Sequence, residues 1–241
     1  MKSYVCRSEG SAQFEELTRP IPGNKLLTAP DVVQKALRFE LREGKNFVAQ
    51  LFENENKGWE GVNEAYSSPP ISTEQVIHPE KYFSGEEPQR TITPNLAAKL
   101  GKGWEQVSAN TIGELLLRTY LEQHLDDTQA AEAAAGWGGD RYSLLTGPEA
   151  ERLLIMQIKW DSLQDSAEFF DAYKTFVGVK TQGTETTSDK VGESGRKWVT
   201  PDETVFLGQI GPTILLIIGD NGDIVGRGLE LLFDALAERT P

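Results

Sequence analysis

Apolar positions recur at helical spacing from Val32 to Phe52, through Val33, Ala36, Leu37, Leu41, Phe47, Val48 and Leu51. That period predicts a long amphipathic helix starting at Pro30-Asp31, weakened in its middle by Gly44 and ended by Asn54, Asn56 and Gly58. Shorter helical stretches follow over Gly58–Tyr66 and Ser72–Ile77. Ser72 and Gln75 are spaced as a capping box there. Thr93-Pro94 reads as another helix start, and Thr111-Ile112-Gly113-Glu114 as a capping box into Leu115–Leu125. Asp126-Asp127-Thr128 caps an alanine-rich helix that Gly136 ends.

After Gly136 the period changes from helical to alternating. Tyr142–Thr146 and Arg152–Trp160 predict a hairpin around Gly147-Pro148-Glu149. A helix from Asp165 or Ser166 to Phe176 comes next, then a Gly-, Thr- and Ser-rich stretch, Gly178–Gly195, that reads as a loop. Trp198–Ile210 and Thr213–Ile218 predict a second hairpin around Gly211-Pro212, and Ile224–Ala237 a last helix. The expected fold class is α+β. A mainly helical region, 30–139, precedes a ββαββα region, 140–241, whose antiparallel sheet carries its helices on one face, the two packed as one unit. Residues 1–29 lack a period and contain Pro20, Pro22 and Gly23, which predicts an extended or disordered arm.

Charge narrows the partners. The 37 acidic and 24 basic residues give a net charge of −13. Such a chain lacks the clustered Lys and Arg that nucleic acid demands, and anionic lipid is disfavoured too. The longest apolar run, Thr213–Ile218, is too short to span a bilayer, so no membrane insertion is expected. Cys6 is the sole cysteine, which excludes an intrachain disulfide. No signal-peptide pattern opens the chain, so the expected location is the cytoplasm, or outside it if the N-terminus is incomplete.

Candidate chemistry is sparse. His78 and His124 are the two histidines, and neither has a ligand partner at helical spacing, so no metal site and no cofactor are expected. There is no Gly-x-Ser-x-Gly, and the glycines of Gly136–Gly139 precede a strand rather than follow one, the reverse of a dinucleotide loop. Trp137, Asp140 and Arg141 form the most unusual string. They are read as a structural junction or, alternatively, a ligand contact, since a buried Arg or Asp is tolerated only when paired. Gly-Trp recurs at Trp59, Trp104 and Trp137. Each Trp is read as a packing anchor, and Trp59, Trp104 and His78 as a candidate partner surface.

Several strings carry a resemblance. They are Gly58-Trp59-Glu60-x-Val62-Asn63-x-x-Tyr66, Pro69-Pro70-x-Ser72-Thr73-Glu74-Gln75-x-Ile77-His78-Pro79-Glu80-Lys81-Tyr82, Leu100-Gly101-x-Gly103-Trp104, Thr111-x-Gly113-Glu114 and Gly136–Arg141. Over roughly residues 30–237 the chain resembles a family of bacterial and archaeal zincin-like proteins. In that family the HExxH helix and the glutamate ligand lie N-terminal to the resembling region, so no catalytic residue carries over. The resemblance implies a non-catalytic accessory or protein-interaction domain with a protein partner. The alternatives are a fragment of a zinc metallopeptidase whose catalytic segment is encoded upstream, or a small-ligand or glycan-binding module suggested by the five Trp.

Overall fold

The computed structural model describes residues 28–182, 184–188 and 195–238. The arm expected over residues 1–29 lies outside the described residues except for its last two, and Cys6 lies outside them too. The long helix forms as its period predicts: α1 spans Asp31–Glu53. Helices α2 (Trp59–Ser67) and α3 (Thr73–Ile77) follow. Ser72 Oγ caps α3 by accepting the Gln75 N–H at 3.2 Å. Pro79 at the first turn starts a further helix, α4 (Pro79–Ser84), where the sequence suggested only a stop.

Two helix starts differ from expectation. Thr93-Pro94 opens no helix: the Thr93 hydroxyl donates to the Arg141 carbonyl at 2.8 Å, and α5 is the short turn Ala97–Leu100. The capping box at Thr111–Glu114 does not form either, because α6 (Gly113–Leu121) has no side-chain cap of its own. Its cap comes from a distant strand, described below. The alanine helix α7 (Asp127–Ala134) is capped as expected, Asp126 accepting from Thr128 and Gln129.

The sheet is larger than the four strands read from alternation. Strand β1 (Glu105–Asn110) lies in the region expected to be helical. Strand β2 runs from Trp137 to Thr146, so the Gly136–Tyr142 string is the start of a strand and not a linker before one. Strands β3 (Arg152–Trp160), β4 (Thr184–Ser188), β5 (Gly195–Val199), β6 (Thr204–Ile210) and β7 (Thr213–Gly219) complete it. The single strand expected over Trp198–Ile210 is thus two, broken at Thr200–Glu203. The expected loop at 178–195 holds the end of α8 (Leu163–Thr181) and β4, with residues 183 and 189–194 outside the described residues. The order across the sheet is β1-β2-β3-β7-β6-β5-β4, with every neighbouring pair antiparallel.

The α+β class holds, but the helices do not share one face. Met156, Ile158 and Trp160 of β3 join Ile214 and Leu216 of β7 in a core with α6, α7 and α8. Leu153 and Ile155, with Leu215 and Ile217, point the other way, into a second core with α5 and α9 (Gly222–Ala237). Side chains alternate along a strand, so β3 and β7 must be apolar on both faces. Their near-continuous runs, Leu153–Ile158 and Ile214–Ile218, carried that signal. A third, small core of Phe47, Leu51 and Val62 holds α1 to α2.

This two-faced burial is testable at one strand. Ile155→Ala and Ile158→Ala, on opposite faces of β3, are each expected to lower unfolding free energy by about 2–5 kcal/mol in urea denaturation. A near-neutral result at Ile155 would place solvent on the α9 face.

Candidate functional site

Several buried polar residues, Glu74, Glu114 and Asp140 among them, lie where the helical region meets the sheet. Asp140, on β2, is buried, and its carboxylate accepts three hydrogen bonds. The backbone N–H groups of Ile112 and Gly113 donate at 2.9 Å each, and Trp137 Nε1 at 3.0 Å. The first two are the open donors at the start of α6, so Asp140 supplies the cap that the local sequence does not. The Thr111 hydroxyl adds a bond to the Asp140 carbonyl at 3.0 Å. Burial pushes the Asp140 carboxyl up, and the three donors pull it back without cancelling the rise.

The geometry around Asp140 requires glycine. Gly136 has φ +75° and a Cβ there would stand 2.5 Å from Asp165 Cγ. A Cβ on Gly139 would collide with the Gln89 carbonyl. Gln89 belongs to an extended strap that crosses β2 and β3, donating from its N–H to the Gly138 carbonyl at 2.6 Å. Trp137, 2% exposed, sits in the α6–α8 core. Arg141 contributes one bond, from Nη2 to the Ala109 carbonyl at 3.1 Å. It also lines an open cleft of about 530 Å³ with Gln89, Arg90, Thr91 and Thr111.

A second polar cluster lies beside the first. His78, between α3 and α4, places Nε2 2.9 Å from Glu114 Oε1 at the start of α6. The hydrogen bond to Glu114 raises the imidazole pKa, against the opposing effect of burial. Glu114 is 2% exposed, and its Oε2 has no partner. Lys81, on α4, reaches Glu74 at 2.5 Å, Glu86 at 2.9 Å, and Asp161 in the turn after β3. Burial alone would lower its pKa. Hydrogen bonds to the three carboxylates outweigh that and hold the ammonium charged.

Three carboxylates around one ammonium leave negative charge in excess. Glu74 is the most buried of them, and desolvation raises its carboxyl to about 7. Among the described residues, Glu74, Glu86 and Asp161 are the acidic groups that converge closely enough for a metal ion. The Lys81 ammonium already bonds to all three, so the charge a cation would bring is supplied from within.

The candidate partner surface does not assemble. Trp104 is half-buried against the α5–α9 core and the Gly147-Pro148 turn, on the opposite side of the sheet from Trp137. Trp59 is 63% exposed on α2, edge-on to Phe52 at 5.3 Å. His78 faces Glu114. Sequence reading found His78 but missed Glu74, Lys81, Glu86, Glu114 and Asp161. The spacing Glu74, His78, Lys81 hints at one helical face, but α3 breaks at His78, and the partners come from 36 and 80 residues away.

Residues 99–224, 126 of the chain's 241, match the model of a family described as Domain of unknown function (DUF8575). The match contains Asp140, Glu114 and Asp161 and leaves out α1 to α4. It carries no link to zincin-like peptidases. No curated protein and no solved structure matches the chain. Among the described residues no helix is long and apolar enough to cross a membrane.

Two measurements follow from these clusters. Asp140→Ala strands three donors and is expected to cost about 3 kcal/mol in urea unfolding, against roughly 1 kcal/mol for Arg141→Ala. Equal losses would mean that Arg141 shares the joining role. The second concerns pH. Folded Glu74 holds its proton up to about 7, whereas the unfolded chain releases it near 4.5. The native state therefore binds more protons between those values, and stability falls as pH rises through that window. Unfolding at pH 5 and pH 8 should show a smaller fall in Glu74→Gln than in the unaltered protein. An equal fall would assign the slope to another group.

Proposed function

The chain belongs to the DUF8575 family, and we propose that it works as a non-catalytic protein-interaction domain. The observation that carries this reading is where the apolar surface lies. Val33, Leu37, Leu41, Val48 and Phe52 of α1 are each 41–47% exposed, and Trp59 of α2 extends the same strip. Monomeric proteins expose single apolar residues freely, but six aligned along one helix face and its neighbour mark a contact surface. The strip belongs to the helical region, outside the matched residues.

The polar groups support the same reading from the other side. A general base or nucleophile needs a group left unengaged toward a substrate. Here the Asp140 carboxylate is taken by three internal donors and the Lys81 ammonium by three carboxylates, and the His78–Glu114 pair leaves only the buried Glu114 Oε2 without a partner. These contacts hold the helical region on the sheet. The finer sequence reading, kinship with the non-catalytic part of zincin-like peptidases, rests on the Ser72–Tyr82 and Gly136–Arg141 strings and would give such a domain its origin.

Elemental analysis tests the proposal. The purified protein is expected to carry far less than one zinc per chain, with a melting temperature that a chelator does not change. Stoichiometric zinc, or a large loss of stability on chelation, would overturn the non-catalytic reading.

A further inference from the structure

The exposed strip on α1 has a definite shape. At 100° per residue, Val33, Leu37, Leu41, Gly44, Val48 and Phe52 fall within an arc of about 100°. Phe47 lies just beyond the Val33 edge of that arc and Leu51 lies on that edge, and both are buried against Val62. Among the described residues, the body covers only part of the apolar face of α1. From Val33 to Phe52 the strip runs about 30 Å at 1.5 Å per residue. That length suits an α-helix of roughly 20 residues and far exceeds a small molecule. Gly44 interrupts the strip, and a Cβ there would meet nothing within 4 Å. It forms a notch able to accept a bulky side chain.

Charge selects the occupant. The same helical geometry places Lys45 and Arg38 just beyond Phe52, on the side away from Phe47, and both are exposed. Glu40 lies on the other edge. In a chain of net charge −13 this basic edge beside an apolar strip is a local reversal. A second copy packed antiparallel about the middle of α1 would bring Arg38 of one copy to the same side as Lys45 of the other, which like charge opposes. The net charge likewise opposes an anionic bilayer.

Resting on the interaction-domain reading, we infer that the exposed face of α1 docks an amphipathic helix of a partner protein, with an apolar stripe and an acidic flank. Leu41, Val48 and Phe52 meet the stripe, Gly44 takes its largest side chain, and Arg38 and Lys45 meet the acidic flank. Such docking uses apolar burial for affinity and charge for orientation.

The test is an anisotropy titration of the full chain against a labelled 20-residue model peptide. The peptide carries leucine at the apolar heptad positions and glutamate at the flanks. Micromolar binding is expected, weakening at least tenfold in Leu41→Glu and in Gly44→Leu, severalfold in Arg38→Glu/Lys45→Glu, and further as salt rises. Circular dichroism should be unchanged in all three variants, since the altered side chains lie at the surface. Equal binding of a version with lysine flanks would overturn the inference, as would no binding at 100 µM peptide. Two results would give the strip to another occupant and also overturn it. These are self-association in sedimentation, or binding to phosphatidylserine vesicles, that Leu41→Glu abolishes. A failed titration of zinc-free protein leaves the non-catalytic reading standing, whereas stoichiometric zinc removes that reading itself.

Discussion

One carboxylate joins the two halves of this molecule. Asp140 projects from β2 and closes the open end of α6, while holding the Trp137 indole in the core beneath. A helix terminus left open in a buried place would carry unsatisfied N–H groups, each costing on the order of 1–3 kcal/mol. The position of α6 is therefore fixed relative to the sheet, and the position of everything packed on α6 follows. Helix α1 reaches it through the Lys35–Glu122 pair. The segment α3–α4 reaches it through His78 and Glu114.

The Lys81 cluster reinforces the same joint by different physics. Asp140 works by hydrogen bonds from fixed backbone groups, which salt and pH disturb little until the carboxyl takes a proton. Lys81 works by charge, and its three carboxylates repel one another as they bind it. Burial raises the Glu74 carboxyl to about 7, and the neighbouring carboxylates add to the rise. The contact between α4 and the turn after β3 is thereby a softer joint than the Asp140 cap. The two joints also differ in origin: both partners of the first lie within residues 99–224, while the second crosses from outside that match into it.

Much of this fold was legible in the sequence because local physics wrote it. The α1 period, the Ser72 and Asp126 caps, the hairpin at Gly147-Pro148 and the final helix all depend on residues within a few positions of one another. What was missed depended on contacts across the chain. Thr111–Glu114 has the spacing of a capping box, but Asp140 takes the N–H groups and His78 takes the glutamate. Thr93-Pro94 has the chemistry of a helix start, but its hydroxyl bonds to β2. The edge strands β1 and β4 are polar and short, so alternation could not mark them. The two-faced sheet was visible in the near-continuous apolar runs of β3 and β7, which alternation reads as half-buried strands.

The candidate site shows the same division. The strings that look most like chemistry, Ser72–Tyr82 and Gly136–Arg141, combine glycine, tryptophan, histidine and paired charges, as active sites do. Such residues are equally what a buried polar joint needs. Glycine lets backbones approach, tryptophan fills volume with one donor to satisfy, and each charge requires a counter-charge or a set of donors. Composition cannot separate the two uses. The partner list can, because a joint uses its donors and acceptors internally, and a site leaves some for a ligand. By that criterion Asp140 and Lys81 act as joints, while Glu114, which lies in neither string, keeps one oxygen without a partner. A stripe of exposed Val, Leu and Phe side chains lies elsewhere, on α1, where no motif draws attention.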